Sequence, residues 1–221
     1  MIVVVGHPQV ARDGASFRPA GTASLVALTA AARGAGVQLL GRVGDDDPGD
    51  VLLVRLAQAG VGHVALLRDA ARRTPQLAHS TAEDGFEDPD PAAGPPMALD
   101  PADSSARPAL DPGDVDLGLR YISDFRVLVL AEPLAAEIVR VAVDSARYSG
   151  AELVIVVANG GSAPEGVPPG ALVLEAPETD REGSFATLLG ELAAAIDAGT
   201  APAAALDEVA ARLGAVRPGA G

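Results

Sequence analysis

AGTASLVALTAAARGAGVQLLGRVGDDDPGD, residues 20–50, is the stretch that decides the fold. Residues 22–33 are Ala-rich and apolar and stop at Gly34 and Gly36, which predicts a helix closed by glycine. Residues 37–40 read as a short buried strand, and 44–48 as a turn. Asp47-Pro48 then starts a second helix, with Pro tolerated in its first turn. That helix carries Val51, Leu52, Leu56 and Ala59 before Gly60 stops it.

Upstream, 2–5 is an apolar run ended by Gly6, a buried parallel strand by pattern, and 14–19 reads as loop. Downstream, 64–67 gives a third strand, so the chain alternates strand and helix as a parallel α/β sheet does. Residues 80–114, rich in Pro, Asp, Ala and Ser, have little to bury and predict a mobile acidic insert. A short helix at 114–123, a strand at 127–130, a helix at 134–148 and a strand at 153–157 follow. Residues 159–170 are a Gly/Pro loop, 171–174 an edge strand, and 184–198 and 203–213 two final helices. The reading is one α/β domain over 1–221, its sheet mostly parallel and flanked by helices.

With 16 basic against 30 acidic residues, the net charge of −14 disfavours nucleic acid and anionic membranes as partners. Every basic residue is Arg, so a P-loop lysine and Schiff-base catalysis are excluded. There is no Cys, which removes disulfides, thiolate nucleophiles and Cys-ligated zinc. His7, His63 and His79 are scattered without ligand spacing, so no metal site is expected. The N-terminus lacks a basic n-region and a long apolar run, and no window is long enough for a membrane span. The expectation is a soluble, cytoplasmic chain.

Residues 20–50, together with 183–220 (GSFATLLGELAAAIDAGTAPAAALDEVAARLGAVRPGA), resemble the first and last signatures of the ribokinase-like (PfkB) sugar-kinase family. The turn Gly41-Arg42-Val43-Gly44-Asp45-Asp46-Asp47-Pro48 resembles the family's strand–turn–helix, and Thr74-Pro75 its next landmark. The resemblance implies a ribokinase-like three-layer fold. It places a sugar-like ligand against Gly21, Thr22, Ser24, Gly44 and Asp45.

The same resemblance argues against the family's chemistry. The family opens its first helix with Gly-Gly-x-Gly-x-Asn; here the run is Ala20-Gly21-Thr22-Ala23-Ser24-Leu25, and Leu25 offers no hydrogen bond. Thr22 and Ser24 either substitute for the lost contact or cap the helix. The acids Asp45, Asp46 and Asp47 read as a turn and helix start rather than a metal site. The catalytic signature Gly-Ala-Gly-Asp-Ala-Phe falls on Asp180-Arg181-Glu182-Gly183-Ser184-Phe185, so Gly183 stands where the family keeps its general base. Its Asn-x-x-Glu and Thr-x-Gly-x-x-Gly nucleotide motifs are absent from this sequence.

The leading expectation is a degenerate carbohydrate-kinase homologue without phosphotransfer, acting in ligand or partner binding, with no catalytic residue and no cofactor. The alternative is an active small sugar or nucleoside kinase using ATP and Mg, with Glu182 as a displaced base. A third reading is a purely structural subunit of a hetero-oligomer with an active homologue; as partners, a homo- or a hetero-oligomer both stay open. His7 and Arg12 are also placed to face a crevice at the first strand's carboxyl end.

Overall fold

The structure, a computed structural model, describes residues 1–77, 107–180 and 182–215, with side chains through 212. In chain order the elements are β1 (Ile2–Val5), β2 (Gln9–Asp13), β3 (Ser16–Ala20), α1 (Gly21–Ala32), β4 (Val37–Gly44), α2 (Asp47–Gln58), β5 (Val61–Gly62), β6 (Leu66–Asp69) and β7 (Gln76–Leu77). Then come α3 (Pro112–Tyr121), β8 (Val127–Leu130), α4 (Ala136–Ser149), β9 (Glu152–Val157), β10 (Leu172–Glu175), α5 (Ser184–Asp197) and α6 (Pro202–Ala215).

The main sheet runs β10-β9-β8-β1-β4-β5, with β6 also on β4, and every pairing in it is parallel. Strand side chains alternate between two cores. Ile2, Val4, Val127, Val129, Val154 and Val156 meet α1, α2, α5 and α6 on one face. Val3, Val5, Leu128, Leu130, Leu153 and Ile155 meet α3 and α4 on the other. This is the expected three-layer α/β arrangement, and burial on both faces is why the strands read as unbroken apolar runs.

Three expectations are corrected. The region read as loop at 14–19 belongs to the antiparallel hairpin β2–β3, which with β7 forms a second, small sheet. Its outer residues are charged, so it lacks an apolar run; Arg12 stacks over the Phe17 ring at 5.4 Å, the only cation–π contact among the described residues. The strand expected at 64–67 is two pieces, β5 and β6, split by a turn in which the Leu66 N–H donates to the His63 carbonyl at 3.0 Å. Val64, inside that turn, is 57% exposed and so is no buried strand residue.

The third concerns the acidic stretch. Residues 80–106 of it lie outside the described residues. Residues 107–114, however, join the fold: Leu110 packs into the core, and α3 begins at Pro112 rather than 114. Asp111 and Asp114 form a reciprocal capping box there. Asp114 also accepts from Arg42 Nε at 2.7 Å, tying α3 to β4. The hydrogen bond to Asp114 holds the Arg42 guanidinium above its ordinary pKa, against the opposing effect of burial and with the charges of Asp114, Asp69 and Asp111 adding to it.

α1 and α5 lie close together because their seam is built of small residues. A Cβ at Gly190 would sit 2.5 Å from Thr29 Cβ and 2.8 Å from the Val26 carbonyl. Gly190→Ala should therefore destabilise by about 1–3 kcal/mol, although alanine is the better helix former by roughly 1 kcal/mol. Urea denaturation checks this against Gly36→Ala, where a Cβ would meet nothing nearer than 3.9 Å and the change should be near neutral.

Candidate functional site at the carboxyl edge of the sheet

The chain leaves β1 for β4 on one side and later returns to β8 on the other. The carboxyl ends of β1 and β8 therefore flank a topological switch point, where open α/β sheets form a crevice. Gly6 and His7 follow β1, and Ala131 and Glu132 follow β8. The Glu132 carboxylate accepts from the His7 backbone N–H and, at 2.8 Å, from His7 Nδ1. α1 closes this corner: a Cβ at Gly6 would lie 2.8 Å from Ala23 Cβ and 2.9 Å from Glu132 Oε1.

α1 brings Gly21, Thr22 and Ser24 to the same edge within its first turn or so. Neither hydroxyl caps the helix: its N-cap is Ala20, with no side-chain hydrogen bond. The capping role open to Thr22 and Ser24 in the sequence is therefore unused. Ser24 is fully buried and its hydroxyl is unpartnered among the described residues, a cost that core packing absorbs. Gly21 starts the helix against the Gln9 side chain.

Leu25 and Gly183, the two positions where the sequence was expected to lack the family's polar groups, face one another. A Cβ at Gly183 would lie 2.8 Å from Leu25 Cδ1. Gly183 also has φ +69°, a left-handed conformation that an aspartate adopts only with strain. Beyond it, the N-terminus of α5 is already filled. Asp180 Oδ1 accepts from the Phe185 N–H at 3.1 Å and the Ser184 hydroxyl at 3.2 Å, and Oδ2 from the Ala186 N–H at 3.1 Å. One carboxylate thus occupies two of the amides that a helix start would offer an anion. Glu182 is exposed in the preceding turn, with no hydrogen-bond or ion-pair partner among the described residues.

Gly44 and Asp45 are committed elsewhere. The Gly44 N–H donates to Thr74 Oγ1 at 3.0 Å, and the Thr74 and Arg72 backbones crowd Gly44 too closely for a side chain. Asp45 pairs with Arg68 at 2.8 Å on the surface. Asp46, the middle acid, does the structural work expected of this turn. It caps α2 through the Gly49 N–H at 3.0 Å and accepts from the Thr74 hydroxyl at 2.6 Å and N–H at 2.9 Å. Thr74 is 2% exposed. Among the described residues no group of three or more His, Asp or Glu could hold a metal ion. Arg12, over Phe17 on the hairpin, forms no part of the His7–Glu132 pair. The sequence carried a signal for the Asp180 cap, an acid just ahead of a helix start, but none for Leu25 against Gly183.

Burial alone would raise the Asp46 pKa. The Thr74 hydroxyl and N–H, the Gly49 N–H and the nearby Arg73 charge outweigh it and hold the carboxyl below its ordinary value. A depressed folded-state pKa stabilises fully above the unfolded value of about 4, and that contribution is lost as pH falls through the folded one. Asp46→Ala should therefore cost roughly 2–3 kcal/mol at neutral pH, from the lost cap and the orphaned Thr74 donors. In urea titrations the gap between wild type and Asp46→Asn should narrow as pH is lowered below about 4.

No family model and no curated protein matches the chain in sequence. Solved structures do match in shape. A protein from E. coli described as a ribokinase II, crystallised with ATP and Mg, superposes with TM-score 0.62 at 14% identity, covering 94% of this chain and 89% of that one. A PfkB protein from Polaromonas sp. JS666 gives TM-score 0.60 at 17% identity, covering 95% and 92%. An Agrobacterium tumefaciens protein described as a ribokinase gives 0.55 at 14% identity, covering 93% and 87%. The likeness extends over nearly the whole backbone and little of the sequence: this is a ribokinase-like protein by fold, a parallel sheet held between two layers of helices.

Proposed function

We propose that this chain has lost phosphotransfer and works by binding a small sugar-like ligand in the crevice between β1, β8 and α1. The observation that carries the reading is the state of the α5 N-terminus. An anion hole acts by free amides and positive potential aimed at developing charge. Here Asp180 occupies the Phe185 and Ala186 amides and adds negative charge, while the place of the base is a left-handed glycine against Leu25.

The residues present do not fit ATP and Mg. Residues 176–183 are the whole connection between β10 and α5, and the family's nucleotide motifs have no counterpart in it. The second reading, an ATP-dependent phosphotransferase, rests on Glu182, an exposed carboxylate without a partner among the described residues, one residue from Gly183. A base displaced by one residue at a helix start is aimed differently, and catalysis is sensitive to about 1 Å of misplacement. The ligand-binding reading therefore accounts for more of the site. Among the described residues no helix is long and apolar enough to cross a membrane.

The test is a coupled assay for ADP with ribose, fructose and adenosine, beside a thermal-shift series with ATP-Mg and the same compounds. The expected result is no substrate-dependent ADP, a flat ATP response and a rise in Tm with a neutral sugar. Gly183→Asp should lower Tm and give no turnover, and adding Leu25→Asn should relieve the contact without restoring activity. Substrate-dependent ADP release by the wild type that is lost in Glu182→Gln would establish the displaced base instead.

A further inference from the structure

β10 ends the main sheet and is hydrogen-bonded on one side only, to β9. Its register fixes which backbone groups stay free. The Ala176 N–H donates to the Val157 carbonyl at 2.8 Å, so residues 172, 174 and 176 turn their backbone to β9. Val173 and Glu175 therefore aim their N–H and C=O groups outward, without a partner among the described residues. The other sheet edges are guarded. β5 and β7 are two residues long, β3 carries Arg18 and Pro19, and β6 carries Arg68 and Asp69. Short length, charge and proline are the devices that keep an edge from pairing with another chain. β10 runs Leu-Val-Leu-Glu, its first three residues apolar and half-buried, with no proline and its one charge at the end.

We propose that the outer edge of β10 docks an extended segment of a partner protein, one with apolar residues between basic ones, which adds a further strand to the sheet. The main chain of that strand takes up the outward Val173 and Glu175 groups. Its apolar side chains complete the burial of Leu172 and Leu174 on one face and of Val173 on the other. Charge selects the occupant. From Ser149 to Asp180 the chain carries Glu152, Glu165, Glu175, Glu178 and Asp180 and no basic residue. Glu165 and Glu178, in the connections either side of β10, and Glu175 on it are exposed. Arg147, just ahead of this run, is held at the Gly166 carbonyl. A second copy of the chain brings the same carboxylates against these, whereas Lys or Arg flanking an apolar strand complements them. The edge uses no residue of the crevice between β1, β8 and α1, so the proposal stands whether or not a small ligand binds there.

The experiment uses the full chain and a fluorescein-labelled heptapeptide, Arg-Val-Thr-Val-Thr-Val-Arg, with its other end blocked. Fluorescence anisotropy should show saturable binding at concentrations up to about 1 mM. Methylating the backbone nitrogens of the three valines, or of the two threonines, removes the donors along one side of the peptide or the other. At least one of these two peptides should bind tenfold more weakly or worse, and so should a peptide with Glu in place of both Arg. Glu175→Lys should weaken the basic peptide and strengthen the acidic one. Val173→Pro removes an outward donor that the fold does not use and should abolish binding. In the free protein the Val173 and Glu175 amides should exchange rapidly while Leu174 is protected, and the peptide should slow exchange at Val173 or Glu175.

No saturable binding, methylated peptides that both bind like the parent, an acidic peptide that binds as well, or Val173 and Glu175 amides already protected in the free monomer would each overturn the proposal. Sedimentation decides the rival occupant: self-association that Glu175→Lys or Val173→Pro abolishes would assign the edge to a second copy instead. Should Val173→Pro fail to fold, the modified peptides, Glu175→Lys and the amide exchange carry the same test.

Discussion

The close crossing of α1 and α5 sets the geometry of the whole carboxyl edge. Their seam is made of alanines on α1 and of Gly190 on α5, which has Thr29 and the Val26 carbonyl directly against it. Small residues let helix backbones approach, and a close-packed interior transmits any change of spacing to the helix ends. Here the spacing delivers Leu25 onto Gly183. The two positions are thus coupled: with glycine at 183 the leucine has somewhere to pack, and a side chain at 183 requires Leu25 to move aside and the backbone to hold a left-handed conformation.

The second constraint is the central position of β1. A strand with parallel neighbours on both sides cannot offer polar side chains along its length, because both faces are buried. Its chemistry is pushed to the first residues past its carboxyl end, where Gly6 and His7 lie opposite Glu132. The hydrophobic sheet and the polar pair follow from the same topology. The acidic character of the chain, −14 overall, makes such a crevice poor at drawing in anions and indifferent to neutral ligands.

Legibility in the sequence followed burial. β1, β8 and β9 were readable because strands buried on both faces spell unbroken apolar runs, and α2 because Asp46, Pro48 and Gly60 punctuate it. The β2–β3 hairpin was not, since its residues pack on one side only and carry Arg12, Asp13, Arg18 and Pro19. The break between β5 and β6 depends on a local turn that the apolar pattern does not encode. For the site, the sequence pointed to Leu25 and Gly183, and the fold brings those two positions into contact. Its polar pair was not legible, because His7 and Glu132 are 125 residues apart and meet only through the order of strands.

The short return from β10 ties the remaining features together. β10 is the last strand at its edge, and residues 176–183 must carry the chain from there back to the start of α5, beside α1. A connection this short arrives at the helix without a long glycine loop, so the free amides of α5 need a partner from the approaching chain itself. Asp180 supplies it. The short connection and the closed helix terminus are then one feature of the chain, seen once in its length and once in its hydrogen bonds.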